Sequence, residues 1–279
     1  MQQKKIGIIH PGEMGSFVAA SALKSGQAVF WAADGRSAAT RDRAAKLKFA
    51  DAGSLTDLCE KCAMIFSVCP PHAAETVAEQ VIKIGFKGLY LDANAISPQR
   101  VQRISQKLSA AGIQFVDGGI IGLPDWETGN TWLYLSGEHA ADVADCFSGG
   151  LLKARVIGDQ PGKASALKMC YAANTKGTTA LICAVNAAAE ALGVREELQR
   201  QWSMEGTALA ESAPNIIRRV TAKAWRFSGE MEEISSTFAS AGIPGEFHAA
   251  AAEIYRRISG FKDTAGVPAL DDVLAALKK

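Results

Sequence analysis

Three short stretches hold residue types and spacings that could do chemistry. The first is HPGEMG, residues His10, Pro11, Gly12, Glu13, Met14 and Gly15, directly after the apolar run IGII. In a dinucleotide-binding turn the first glycine allows a tight bend. The second lets backbone N–H groups approach a pyrophosphate, and the third lets the following helix pack on the strand. Gly12 and Gly15 fill the second and third slots and His10 takes the first, which a side chain tolerates if its φ stays negative. His10 reads as a turn residue, so glycine there should do little harm. A glycine turn without a ligand is the bland alternative, and the strand before and helix after the motif argue against it.

The second stretch is VFWAADGRSAATRDR. Asp34 could hold the ribose 2′-hydroxyl of NAD, but Arg36 and Ser37 follow at once and open the next helix, a cradle suited to the 2′-phosphate of NADP. NADP is therefore preferred, against the alternative that Arg36 is a solvated turn residue. The third stretch surrounds Lys168 in KASALKMCYAANTKG. At helical spacing Lys168, Tyr171, Ala172, Thr175 and Thr179 share one face, flanked by the apolar Leu167 and Met169. A lysine losing hydration where such a helix enters a crevice suits general acid–base work. The alternative is a lysine that snorkels to solvent. Lys163 and Lys176 on the same helix serve as controls.

Positioning these groups requires a wound sheet and a long helix. The runs KIGII, AVFWA, AMIFSV, GLYLD and IQFVD alternate with helical patterns such as SPQRVQRISQKLSAAG, and TWLYLSG and ARVIG add strands. Continuous apolar strands between helices predict an α/β fold: a doubly wound, Rossmann-type sheet followed by an all-α domain. From Gly162 one helix of about thirty residues should run to a C-cap at Gly193. The expected domains are residues 1–160, binding the dinucleotide, and 161–279, all helical and beginning with that helix.

Composition narrows the partners. Thirty basic and 29 acidic residues without a charge run give no case for nucleic acid or a membrane surface, which leaves small molecules. No stretch has the length of a signal-peptide core or a spanning helix, so a cytoplasmic protein is expected. Cys59 and Cys62 form the only close pair among six cysteines. They fall at a helix end with too few partners for zinc, so no metal is expected. His248, Glu232 and Glu233 read as helix-surface or interface groups. Trp126 and Trp132 flank a loop able to cover substrate, with aromatic packing the simpler reading.

HPGEMG, the GRS turn, SVCPP, LDANAISP and PGKASALKM fall in the order and spacing of the 6-phosphogluconate dehydrogenase and β-hydroxyacid dehydrogenase superfamily, and the resemblance covers the whole chain. GRSAAT, ISP, ASALKM and TKG together resemble its NADP-binding branch whose C-terminal helical domain is of unknown function. The resemblance implies hydride transfer between NAD(P) and a hydroxyacid-like alcohol, with Lys168 as the catalytic lysine. It places Asn94 and Ser97 beside nicotinamide and substrate, and Val68, Cys69 and Pro70 along the adenosine side. Three features depart from the family. Ile121, Gly122 and Leu123 replace a Ser-Gly-Gly that holds the substrate carboxylate, Tyr171 and Ala172 replace an asparagine pair, and no Lys-Asp match occurs near Gly229–Glu233.

The expected function is thus an NADP-dependent oxidoreductase interconverting an alcohol and a carbonyl. The alternatives are an imine reductase on the same scaffold and a non-catalytic NADPH-binding sensor. The segment Thr178–Leu192 is apolar almost all round, which predicts a homodimer formed through the helical domain.

Overall fold

Seven apolar runs become strands, and an eighth, polar strand joins them. The structure, a computed structural model, describes residues 3–262 and 264–278; the remaining residues of the two expected domains lie outside the described ones. In chain order it begins β1 (Lys5–Ile8), α1 (Glu13–Lys24), β2 (Ala28–Ala32), α2 (Ala38–Lys46), β3 (Ala50–Gly53), α3 (Leu55–Lys61) and β4 (Met64–Ser67). Next come α4 (Ala74–Ile84), β5 (Leu89–Asp92), α5 (Pro98–Ala110), β6 (Gln114–Ile121), β7 (Trp132–Ser136), α6 (Ala140–Ala144) and β8 (Lys153–Gly158). The chain ends in α7 (Lys163–Ala191), α8 (Arg195–Met204), α9 (Leu209–Ser240), α10 (Glu246–Arg257) and α11 (Leu270–Leu277).

The strands lie in the order β3-β2-β1-β4-β5-β6-β7-β8. The first six have the 3-2-1-4-5-6 order of a Rossmann sheet and run parallel. The expected fold class is therefore the observed one. β7 turns back antiparallel to β6, because the connection 122–131 carries no helix that could cross over the sheet. Sequence reading missed β3, whose residues ADAG include no β-branched side chain and lie half exposed at the sheet edge.

Alternate residues of the central strands feed two cores. Ile6, Ile8, Met64, Phe66, Leu91 and Val116 pack on one face of the sheet, and Ile9, Ile65, Tyr90 and Phe115 on the other. Burial on both faces explains why these strands read as unbroken apolar runs. Cys59 and Cys62 are buried free thiols, and burial pushes them up to about 11 and about 12 respectively, the opposite of an activated redox pair.

Two compact units divide between Met169 and Cys170, part way along α7. In the second, Lys176 of α7 forms an ion pair with Glu230 of α9, both largely buried, and its ammonium lies 4.9 Å from the Phe227 ring centroid. The Tyr255 hydroxyl donates to the Lys176 carbonyl at 2.7 Å. Lys176 is therefore no neutral control, because removing it would leave a buried carboxylate unpaired. His248 also departs from its surface reading: it is buried, with its ring 4.3 Å from that of Phe238 and 5.2 Å from that of Phe247. Glu232 does lie outside, paired with Arg256 at 2.8 Å. Among the described residues no helix is long and apolar enough to cross a membrane.

Candidate dinucleotide and active site

The strand order reverses between β1 and β4, the switch point at which open α/β sheets form a crevice at their carboxyl ends. The turn after β1 and the turn after β4 flank it. In the first, the Gly12 N–H donates to the His10 carbonyl at 2.8 Å, and Gly12 caps α1 with φ −68° and ψ −169°. A Cβ built on Gly12 meets no protein atom within 4 Å, whereas one on Gly15 would lie 2.2 Å from the His10 carbonyl oxygen. Gly15 is thus required by helix–strand packing, and Gly12 leaves open the space a pyrophosphate would fill. Glu13 is exposed, while Met14 packs against the core. The buried Pro11 accepts at its carbonyl from Ser16 Oγ at 2.9 Å and from Arg43 at 3.0 Å, which ties the turn to α1 and α2.

His10 keeps a negative φ, since Lys48 is the only non-glycine residue with positive φ among those described. Its imidazole is pushed down to about 4, chiefly by burial and then by the charge of Arg36, so it is neutral near pH 7. Arg36 follows β2 in a turn closed by its own N–H to the Ala33 carbonyl at 3.2 Å. Its Nε is buried without a partner, and burial lowers its pKa from the usual arginine value. Ser37 caps α2, its Oγ accepting from the Thr40 N–H. Arg41 donates to the carbonyls of Ala33 at 2.7 Å and Arg36 at 3.3 Å. Sequence reading passed over Arg41 and Arg43; their only signal is the TRDR run one turn into α2.

After β4, Val68 packs on the core, and Cys69 and Pro70 are half-buried. Asn94, buried after β5, accepts from the Cys69 N–H at 2.6 Å and donates to Ser67 Oγ at 3.2 Å. Its amide therefore laces the ends of β4 and β5 and shapes the turn at the switch point. The buried Asp92 accepts from the Asn94 N–H at 3.0 Å. Burial, set against that hydrogen bond and reinforced by Asp117 on the next strand, raises it to about 7. Ser97 is buried at the start of α5.

A buried carboxylate holds the start of α7. Asp117 of β6 accepts from the N–H groups of Gly162 at 2.8 Å and Ser165 at 3.0 Å. It also accepts from the hydroxyls of Ser165 at 2.6 Å and Ser136 at 2.9 Å. Ser136 Oγ in turn accepts from the Ala164 N–H at 3.0 Å. Helix N–H groups that would otherwise lack partners are thereby satisfied from the sheet. Burial raises the Asp117 pKa and these donors oppose the rise.

Close approach completes the placement: a Cβ on Gly119 would lie 2.5 Å from the Ala164 carbonyl oxygen and 3.2 Å from Lys168 Cβ. Glycine at 119 lets α7 lie against β6 with Lys168 half-buried beside that strand. Neither Asp117 nor Gly119 stood out in the sequence, although two glycines inside a strand are a signal of close backbone approach. Ile121, the last residue of β6, is half-buried; beyond it Gly122 has φ +119°, and Leu123 is 66% exposed. The loop 122–131 bounds an open pocket of about 550 Å³ lined by Leu123, Pro124, Trp126 and Thr131 among others. It is preformed: Asp125 accepts from the N–H groups of Glu127, Thr128 and Asn130 at 2.8–3.1 Å, and Trp126 meets Phe17 of α1 edge-on at 5.2 Å. Tyr171, one turn beyond Lys168, is 47% exposed.

Fold and turns define a protein of the Rossmann dinucleotide-binding class. Residues 5–141 match the NAD binding domain of 6-phosphogluconate dehydrogenase, and residues 189–258 match a domain of unknown function, DUF1932. The chain belongs to the 6-phosphogluconate dehydrogenase and β-hydroxyacid dehydrogenase superfamily, in the branch that carries that helical domain. An uncharacterized 28.5 kDa protein of Methanothermus fervidus is 30% identical over 194 residues, 70% of this chain and 74% of its own. A conserved protein of unknown function, described as structurally similar to 3-hydroxyacid dehydrogenases, is 26% identical with a TM-score of 0.66, covering 98% of this chain and 99% of its own. The 3-hydroxyisobutyrate dehydrogenase of Mycobacterium tuberculosis, solved with L-serine, shares the fold at 18% identity and a TM-score of 0.68, with complete coverage of both chains.

Proposed function

We propose that the protein is an NADP-dependent oxidoreductase that interconverts an alcohol and a carbonyl, with Lys168 as general acid and base. The observation that carries this reading is Lys168 packed against β6 of the dinucleotide-binding sheet by the glycine at 119, on a helix held by Asp117. Residues 1–160 would bind the cofactor, and 161–279 form the helical domain that α7 begins. Gly12 and its neighbours Pro11, Glu13, Met14 and Gly15 receive the pyrophosphate, with His10 in the same cofactor-binding turn, Arg36 and Ser37 the 2′-phosphate, and Val68–Pro70 the adenosine side. When bound, the nicotinamide supplies or accepts the hydride at the reacting carbon. Lys168 gives its proton to the carbonyl oxygen during reduction and takes it back during oxidation. Asn94 holds the Cys69 turn and so keeps the crevice shaped for the cofactor.

Leu123 and Trp126 give the pocket along the loop 122–131 an apolar wall. With Ile121, Gly122 and Leu123 standing where relatives carry Ser-Gly-Gly, this favours a substrate without a small carboxylate, with Ser97, Ile121 and Gly122 as further contacts. The cofactor preference is tested by calorimetric titration. Wild type should bind NADPH about tenfold or more tighter than NADH, and Arg36→Ala should lose that margin, the usual worth of one charge-assisted bond. Equal affinities in the wild type would overturn it. A panel of ketones and hydroxyacids, with and without added amines, read at the nicotinamide absorbance, separates carbonyl from imine reduction.

The helical half supports a homodimer. Leu181 of α7 and Leu192, the residue that follows that helix, are both exposed in the single chain. Light scattering should report twice the chain mass at micromolar concentration; a monomer there would refute the dimer.

A further inference from the structure

We propose that His10 reads the cofactor: its Nε2–H donates a hydrogen bond to the 2′-phosphate of NADP, beside the guanidinium of Arg36. This rests on the NADP reading above and adds to it a residue that stands where the fingerprint has glycine.

The turn itself does not need the imidazole. His10 keeps an ordinary negative φ, its carbonyl already accepts from the Gly12 N–H at 2.8 Å, and the same oxygen meets Gly15. The ring is therefore free for another task, and its surroundings say which. Nδ1 is buried and has no hydrogen-bond partner, while Nε2 is not among the buried unpartnered atoms. With no acceptor at Nδ1, the single proton of a neutral imidazole belongs on Nε2, where solvent or a ligand can take the bond. The ring is thus a donor facing outward at the carboxyl end of β1.

Arg36 lies in the turn after the neighbouring strand β2, close enough for its charge to bear on the ring. Its own Nε is buried and unpartnered, and no carboxylate among the described residues pairs with it. The imidazole and the guanidinium, in turns that follow adjacent strands, both lack protein acceptors, so an anion can take a bond from each. Arg41 is engaged in holding the turn, so His10 adds a donor to those of Arg36 and Ser37 for that anion. A phosphate dianion suits the pair, because it accepts from a neutral imidazole N–H and a guanidinium at once.

The experiment titrates wild type, His10→Gly and His10→Phe with NADPH and with NADH by calorimetry. Phenylalanine fills the same space and donates nothing, so it carries the test should the glycine variant fail to fold. Both variants are expected to bind NADPH about tenfold more weakly while NADH affinity stays within about twofold. His10→Asn, which retains a donor, should recover part of the loss. Equal losses for both cofactors, or none, would overturn the role of His10 while leaving the preference of the wild type standing. A wild type that binds both cofactors alike would instead sink the NADP reading, and this inference with it.

Discussion

Lys168→Met is expected to lower turnover by about two to four orders of magnitude, the usual worth of a general acid or base, while NADPH affinity stays near that of the wild type. Methionine keeps an apolar stem against β6, where Gly119 admits the helix, and removes only the ammonium. Binding and chemistry should separate because the cofactor-holding turns are built by other residues. The pH profile of the wild type should show an ionisation that the variant lacks. Lys163→Met is the control; Lys176 is not, because it forms the buried pair with Glu230. A Lys168→Met protein that keeps most of its turnover would make the lysine a bystander and move the proton donor to Tyr171 or a bound water.

The second large effect is expected at Gly12. Valine there should abolish binding of NADPH and NADH while leaving the thermal transition within a few degrees of wild type. The structure separates the two consequences: a Cβ at Gly12 meets no protein atom within 4 Å, so the added methyls take space from a ligand rather than from the core. Gly15 should behave in the opposite way. A methyl there would lie 2.2 Å from the His10 carbonyl oxygen, so Gly15→Ala should destabilise the fold itself. Calorimetry with a melting curve on each variant distinguishes them, and a Gly12→Val protein that still binds NADPH normally would mean the fingerprint has been misplaced.

The contrast between those glycines shows what a sequence can disclose. Their spacing after an apolar run marks a local motif, and local motifs are legible because the chain's own neighbours impose the geometry. The same holds for α7, whose alanine-rich run ends before Gly193, a glycine with φ +71°. Pairings made across the fold are not legible this way. Asp117 meets Ser165 across 48 positions and Lys176 meets Glu230 across 54, and neither partner differs in type from a surface residue. His248 was hidden for the same reason, since only α9 and its own neighbour Phe247 supply the rings that enclose it. β3 lacked even a local signal, because an edge strand exposes half its residues and needs no apolar run.

The attachment of α7 to Asp117 has a consequence for how such a protein can diversify. The register of Lys168 is set by bonds made one turn before it, all to residues of the dinucleotide-binding unit. The lysine thus belongs to the sheet in everything but its helix, and the bonds that place it lie before the chain beyond Met169. Helical segments of different sequence could be exchanged downstream without re-aiming Lys168. A chimaera joined after Met169 should keep this lysine in its place beside β6 whatever helices follow it.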